Sequence, residues 1–314
     1  MGKSKMLTEG ALMLAVFAIL LFIYNYIPLL SIVSVLFLLL PFILYSAKYP
    51  FKHALVLLIG SILISVLLGS LFLIPVALIY GTTGIAIGYC IRTKKSKFVL
   101  YMSASILFLL NAILQYIAFI VLFNKNILKV LITTFEDSFQ QSAKILEGLG
   151  QGSSEQLMEQ YNAFLDTITT LLPSLLVISS FVVVWLLLAI NLPIVKRFKI
   201  DVPKWNAFRE LKLPKSILWY YLITIILAII WRPEQGTYGN MALVNLNFIL
   251  QMLMVLQGYS FVFFFSHEKR WTKAIPILIV IFTFFLFPLQ YIIRILGIMD
   301  LGFGLRQFLN RKSS

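Results

Sequence analysis

The chain has 314 residues, 61% of them hydrophobic and only 12% charged, with a formal net charge of +14 at pH 7. A soluble domain spends about a quarter of its residues on charge, so this balance, with a mean hydropathy of +0.96, excludes an ordinary soluble protein. The basic excess is not a nucleic-acid footprint, because it is sorted along the chain as membrane insertion sorts it.

Apolar runs without Lys, Arg, Asp or Glu lie near 10–24, 29–45, 54–74, 76–91, 98–123, 167–195, 216–231, 241–265 and 274–293. A run of about 18 or more such residues reads as a membrane-spanning helix, because about 20 residues cross a hydrocarbon core of about 30 Å. The expected fold class is all-α: a polytopic transmembrane helical bundle of about nine spans, with eight as the alternative, and with a cytoplasmic N-terminus. The first run has no convincing small-x-small cleavage site and reads as a retained helix. Cys90 is the one cysteine, so no intrachain disulfide forms.

Basic residues set orientation, since Lys and Arg are held in cytoplasmic loops. With the N-terminus in the cytoplasm, Lys3, Lys5, Lys48, Lys52, Arg92, Lys94, Lys95 and Lys97 fall inside. So do the seven basic residues between Lys196 and Lys215, and Lys269, Arg270 and Lys273. Only Lys125, Lys129, Lys144 and Arg232 then fall outside before the last segment. A ninth crossing from Ala274 to about Ile293 places the tail, with Arg294, Arg306, Arg311 and Lys312, outside and against the rule. Eight crossings with a re-entrant last segment is the alternative. The stretch from Leu289 to Leu309 holds Arg294, Asp300 and Arg306 and reads as an interfacial amphipathic helix.

Three blocks follow: residues 1–123 as a five-helix membrane block, 124–166 as an extracytoplasmic amphipathic insert, and 167–314 as a second membrane block. In the insert, Ile127, Val130, Leu131, Phe135, Phe139, Ala143 and Leu146 recur at helical spacing. Gly148, Gly150 and Gly152 with Ser153 and Ser154 break the pattern, and a second helix starts near Glu155. The basic loop 196–215, with Pro203, Trp205, Phe208 and Pro214, is expected on anionic lipid.

The fourth run carries Gly81, Gly84 and Gly88, and the first carries Ala11 and Ala15. Small residues at this spacing serve close helix packing or partner docking. Uncharged polar pairs four residues apart occur as Asn111 and Gln115, and as Asn247 and Gln251. Gln290 and Arg294 form a third pair. An amide in hydrocarbon is costly unless paired, so these groups face inward, either locking helices together or holding a neutral or zwitterionic solute. Arg294 is the natural anchor for a carboxylate or phosphate, or it snorkels to the interface. Trp231, Arg232, Pro233 and Glu234 read as markers of the outer boundary.

No HExxH, CxxC or GxxxxGK[ST] pattern appears, and no acidic pair lies within an apolar run. No enzyme activity, metal or cofactor is expected.

Several segments carry a family resemblance. Glu9-Gly10-Ala11-Leu12-Met13-Leu14-Ala15, Leu171-Leu172-Pro173-Ser174-Leu175-Leu176 and Leu213-Pro214-Lys215-Ser216 resemble the YybS-like family of membrane proteins of Gram-positive bacteria. So do Asn245-Leu246-Asn247, Leu256-Gln257-Gly258 and Leu296-Gly297-Ile298-Met299-Asp300-Leu301-Gly302-Phe303. Gly302 and Gly304 stand where the family tends to be bulkier, which implies a looser tail. The resemblance implies membrane class rather than an activity. The first six helices also resemble the S component of energy-coupling-factor vitamin transporters, with a basic loop after the fourth helix and small residues at Ala11 and Ala15. That likeness implies a docking face at Ala11 and Ala15 for a coupling subunit.

The function expected first is therefore transporter-like: a small-solute binding or uptake component without its own ATPase. The alternative is a structural or regulatory membrane scaffold. Expected partners are the bilayer, anionic lipid at the basic loops and a coupling subunit or other membrane protein, with no nucleic acid.

Overall fold

The computed structural model describes residues 3–69, 71–124, 127–148, 154–204, 207–234 and 236–313. Among them are thirteen α-helices and no strand. They are α1 (Lys3–Tyr26), α2 (Pro28–Phe37), α3 (Leu40–Lys48), α4 (Phe51–Leu67), α5 (Ile74–Arg92), α6 (Lys97–Phe123) and α7 (Ile127–Gly148). The rest are α8 (Ser154–Arg197), α9 (Lys215–Trp231), α10 (Tyr238–Glu268), α11 (Ala274–Phe285), α12 (Phe287–Phe303) and α13 (Leu305–Ser313). Prolines open α2, α3, α5 and α12 at the first turn, where a missing N–H costs nothing. Ser96 and Thr237 cap α6 and α10 by accepting from Val99 N and Asn240 N, each at 3.3 Å.

Six helical segments are long and apolar enough to cross a membrane, with α2 and α3 together forming one of them, and seven if the bent pair α11–α12 counts as one. The difference from the expected nine lies with α4 and α9, apolar helices of 17 residues each.

The end of the chain departs from the favoured expectation of a ninth crossing with the tail outside. α11 breaks at Leu286 and α12 turns back through 120°. α12 then runs along α10, and Arg306 on α13 donates from Nη1 to the carbonyl of Arg209 at 2.7 Å. Arg209 belongs to the basic loop, so the start of α13 lies on the same side as that loop. The physical reason is electrostatic. Folding back brings Arg306 to the basic loop and gives the buried Asp300 a partner. Gly304 adopts φ +64°, a left-handed cap that a Cβ would strain, and this turn aims Arg306 back at Asp300.

By contacts the chain divides into two units that cut across the three sequence blocks. Unit 1 is residues 1–158 and 176–204. Unit 2 is residues 159–175 and 205–314.

In unit 1, α5 lies against α3. A Cβ at Gly84 would come within 2.8 Å of the Leu39 carbonyl, and one at Gly88 within 2.7 Å of the Ile43 carbonyl and onto Ser46 Oγ. Gly81 lies under Leu58 and Phe42. Helix backbones approach this closely only where side chains are missing. One core joins Leu39, Ile43, Ile87 and Leu100 with Leu187 and Leu192 of α8. A second joins Phe17 and Leu21 of α1 with Phe42, Leu58 and Ala77.

Unit 2 is built on α10. α9 and α12 close on it through Leu218, Tyr221, Leu250, Met254 and Leu301. Gly258 and Gly297 bring α10 and α12 to backbone contact.

Candidate functional site

The amides of unit 1 are held by neighbouring helix backbone and hydroxyl groups. Asn111 Nδ2 donates to Thr82 Oγ1 at 3.1 Å and to its own Leu107 carbonyl at 2.8 Å. Gln115 Nε2 donates to the Pro75 carbonyl at 2.9 Å. These bonds tie α6 to α5. Asn191, which the sequence does not single out, is fully buried on α8 and donates to the Leu36 and Leu187 carbonyls, both at 2.8 Å. Ala11 and Ala15 are both exposed on α1. Close to them, Lys48 Nζ pairs with Glu9 Oε2 at 3.1 Å. A cleft of about 200 Å³ opens there among Glu9, Leu12, Met13, Leu44, Tyr45, Lys48 and Phe198.

In unit 2, Asn245 performs a backbone repair. Its Nδ2 donates to the Thr170 carbonyl at 2.6 Å, and its Oδ1 accepts from Ser174 N at 2.9 Å. Thr170 and Ser174 are the two groups that an unbroken α-helix would join to each other. Pro173 sits between them, where its ring crowds the preceding turn. The carboxamide of Asn245 bonds to both backbone groups across that turn.

The richest constellation is the buried cluster around Asp300, a fully buried residue. Asp300 Oδ2 accepts from Arg306 Nε at 2.9 Å and from Gln257 Nε2 at 2.5 Å. Gln257 Oε1 in turn accepts from Leu213 N at 2.9 Å. Arg306 Nη2 donates to Ser260 Oγ at 3.0 Å, and the guanidinium lies 5.3 Å from the Phe264 ring centre. Ser260 Oγ lies within hydrogen-bond reach of the Phe208 and Leu211 carbonyls, at 2.9 and 2.7 Å. Two helices, the basic loop and the start of α13 thus meet on one ion pair. Asp300 Oδ1 has no partner among the described residues. The cluster holds a carboxylate and a guanidinium already committed to each other, with the Ser260 hydroxyl bonded beside them. It fastens the loop to the helices. Its signal in the sequence is an acid and a base in an otherwise uncharged stretch.

The remaining sequence candidates lie apart from that cluster. Asn247 lines a cleft with Arg232 and Asn240. Gln251 and Gln290 are half-buried. The Arg294 guanidinium lies 4.7 Å from the Tyr291 ring centre. No hydrogen bond joins Asn247 to Gln251, or Gln290 to Arg294, among the described residues. Asn111 and Gln115 belong to one unit and Asn247 and Gln251 to the other. Among the described residues no group of three His, Cys, Asp or Glu side chains is placed to hold a metal ion.

The model of the family described as "Predicted membrane protein (DUF2232)" matches residues 15–301. The chain belongs to this family. It is a multi-pass integral membrane protein. It is also 29% identical over 307 residues to "Uncharacterized protein YybS" of Bacillus subtilis (strain 168), covering 98% of this chain and 99% of that one. No solved structure matches. Neither match shows the likeness to energy-coupling S components.

Proposed function

We propose that this membrane protein is a solute-binding component of an uptake system, not itself an enzyme, that leaves energy supply to a separate ATPase-linked subunit. The observation that carries the reading is the composition of unit 1. It gathers six apolar helical segments: α1, the α2–α3 pair, α4, α5, α6 and α8 from Leu176 onward. On α1, Ala11 and Ala15 lie one turn apart and exposed. Small side chains at that spacing leave a strip where a partner helix can approach backbone to backbone. The solute would be read by Asn111 and Gln115, each of which can trade a bond to α5 for one to a ligand without leaving an amide unsatisfied.

A second reading, a packed scaffold without transport activity, is favoured by the same amides. They are already bonded, and the cleft of about 200 Å³ in unit 1 is smaller than the roughly 300–1,000 Å³ of most ligand pockets.

Affinity purification of the full chain from native membranes in mild detergent, with mass spectrometry of retained proteins and small molecules, separates the two. Under the uptake reading an ATPase-linked subunit co-purifies, and Ala11→Trp or Ala15→Trp removes it while the protein stays monodisperse. Envelope proteins with no coupling subunit and no solute would select the scaffold.

A further inference from the structure

The membrane-spanning α6 is apolar to its last turn, where Val121, Leu122 and Phe123 are all exposed, and Asn124 ends it in a left-handed conformation, φ +50°. A contiguous apolar surface on a spanning helix is covered by lipid, so lipid reaches along α6 as far as Phe123. α7 starts four residues later, at Ile127. Four residues of chain reach at most about 14 Å, so the first turn of α7 stays close to the headgroups.

α7 has two unlike sides. At 100° per residue, Val130, Thr134, Phe135, Ser138, Ser142 and Ile145 fall within an arc of about 140°, with Gln141 at its edge. Glu136, Asp137 and Gln140 fall outside that arc. Phe135 and Ile145 are 67% and 65% exposed, so the apolar side is uncovered. The hydroxyls on the arc are already satisfied. Thr134 Oγ1 donates to the Val130 carbonyl at 2.8 Å, Ser138 Oγ to the Thr134 carbonyl at 2.8 Å, and Ser142 Oγ to the Ser138 carbonyl at 2.9 Å. This face can therefore leave water without stranding a donor. An upright α7 would carry Ile145 about 27 Å beyond Ile127, with the arc in water for most of that length. A flat one sets the arc against lipid and the charged side against solvent.

We infer that α7 is an interfacial helix lying in the headgroup layer of the leaflet at which α6 ends, with its apolar arc toward the acyl chains, and that loose lipid packing rather than negative lipid charge sets its depth. α7 has two lysines against three acidic residues, so no positive excess draws it to anionic headgroups. What holds it is apolar area inserted between headgroups, and the small side chains of Thr134, Ser138 and Ser142 keep that insertion shallow. A shallow insertion needs gaps at the bilayer surface, which unsaturated chains open and saturated chains close. The inference concerns α7 alone and does not rest on the uptake reading.

The test uses the full chain in vesicles, in a Cys90→Ser background. Ser138→Cys and Ser142→Cys lie on the arc, and Glu136→Cys and Gln140→Cys lie off it; none of the four positions is buried. Each carries an environment-sensitive fluorophore, quenched by iodide from water and by phosphatidylcholine with a nitroxide high on its acyl chain. We expect lipid quenching about threefold stronger at positions 138 and 142 than at 136 and 140, with iodide quenching reversed. Adding phosphatidylglycerol should leave the pattern unchanged. Replacing unsaturated by saturated chains in the fluid phase should lower lipid quenching at 138 and 142 about twofold. Phe135→Glu/Ile145→Glu should move the label at 142 into water while the protein stays monodisperse. Equal iodide quenching at all four positions overturns the inference. So does shielding of 138 and 142 from both quenchers, which would mean contact with another helix or a second copy. Lipid quenching that rises with phosphatidylglycerol, or that ignores chain saturation, overturns the control by packing.

Discussion

A Cβ on Gly297 would sit 2.9 Å from the backbone nitrogen of Gly258, so the two glycines meet backbone to backbone where α12 lies along α10. The same Cβ would strike the Met254 carbonyl, and one on Gly258 would strike the carbonyl of Ile293. Neither obstacle is a flexible side-chain tip. Gly297→Ala or Gly258→Ala should therefore force the helices apart and cost about 1–3 kcal/mol, the usual range for overpacking. Gly302→Ala, whose Cβ meets only Leu218 Cδ2 at 3.4 Å, should be near neutral. Thermal unfolding in detergent micelles reads the contrast, and equal losses at Gly297 and Gly302 would sink it.

Removing one partner of the Asp300–Arg306 pair leaves the other buried and uncompensated. Asp300→Asn or Arg306→Gln alone should each cost about 3–5 kcal/mol. The double variant Asp300→Leu/Arg306→Met should recover much of that, because no lone charge remains. A double-variant cycle by reversible unfolding checks the coupling. Additive losses would mean that the two residues act independently.

Asn245→Leu should strand the Thr170 carbonyl and the Ser174 amide, at about 1–3 kcal/mol for buried backbone groups left unpaired. Adding Pro173→Ala should restore part of the loss by letting those two groups bond to each other. If Pro173→Ala gives no rescue, the proline is not what makes the Asn245 bridge necessary.

The fold-back of the last helices predicts sidedness. In a Cys90→Ser background, Gln307→Cys should react with a membrane-impermeant maleimide only after vesicles are opened from the cytoplasmic face. Tyr238→Cys, at a position 93% exposed, should react from the outside. Labelling of both positions from one face would contradict the turn at Leu286.

What is legible in the sequence follows from what is local. Apolar runs and proline positions depend on neighbours a few residues away, so the helices can be read directly, while Gly150, Gly152 and Ser153 lie outside the described residues. The repair by Asn245 cannot. Pro173 is visible, but its partner lies some seventy residues on, and nothing local says that the two segments meet. The Asp300 cluster is hidden for a different reason. On a straight helix, residues six apart point about 240° away from each other at 100° per residue, so Asp300 and Arg306 read as separate obstacles to a crossing. Only the turn at Gly304 makes them a pair. Gln115 was legible as a polar group that needs a partner. That the partner is the carbonyl of Pro75 depends on how α5 and α6 pack, a tertiary fact.

The length of α10 sets a preference for bilayer thickness. Its 31 residues span about 46 Å at 1.5 Å each, against a hydrocarbon slab of about 30 Å. Tilt alone would have to reach about 50°, beyond the 0–40° range of transmembrane helices, so part of α10 stands clear of the slab. Gln257, Ser260 and Ser266, all buried and polar, lie along its final twelve residues. A thicker membrane would draw the Asp300 ion pair toward hydrocarbon, and a thinner one would leave it at the headgroups. A change of bilayer thickness is therefore expected to be felt first at the point where the basic loop is fastened.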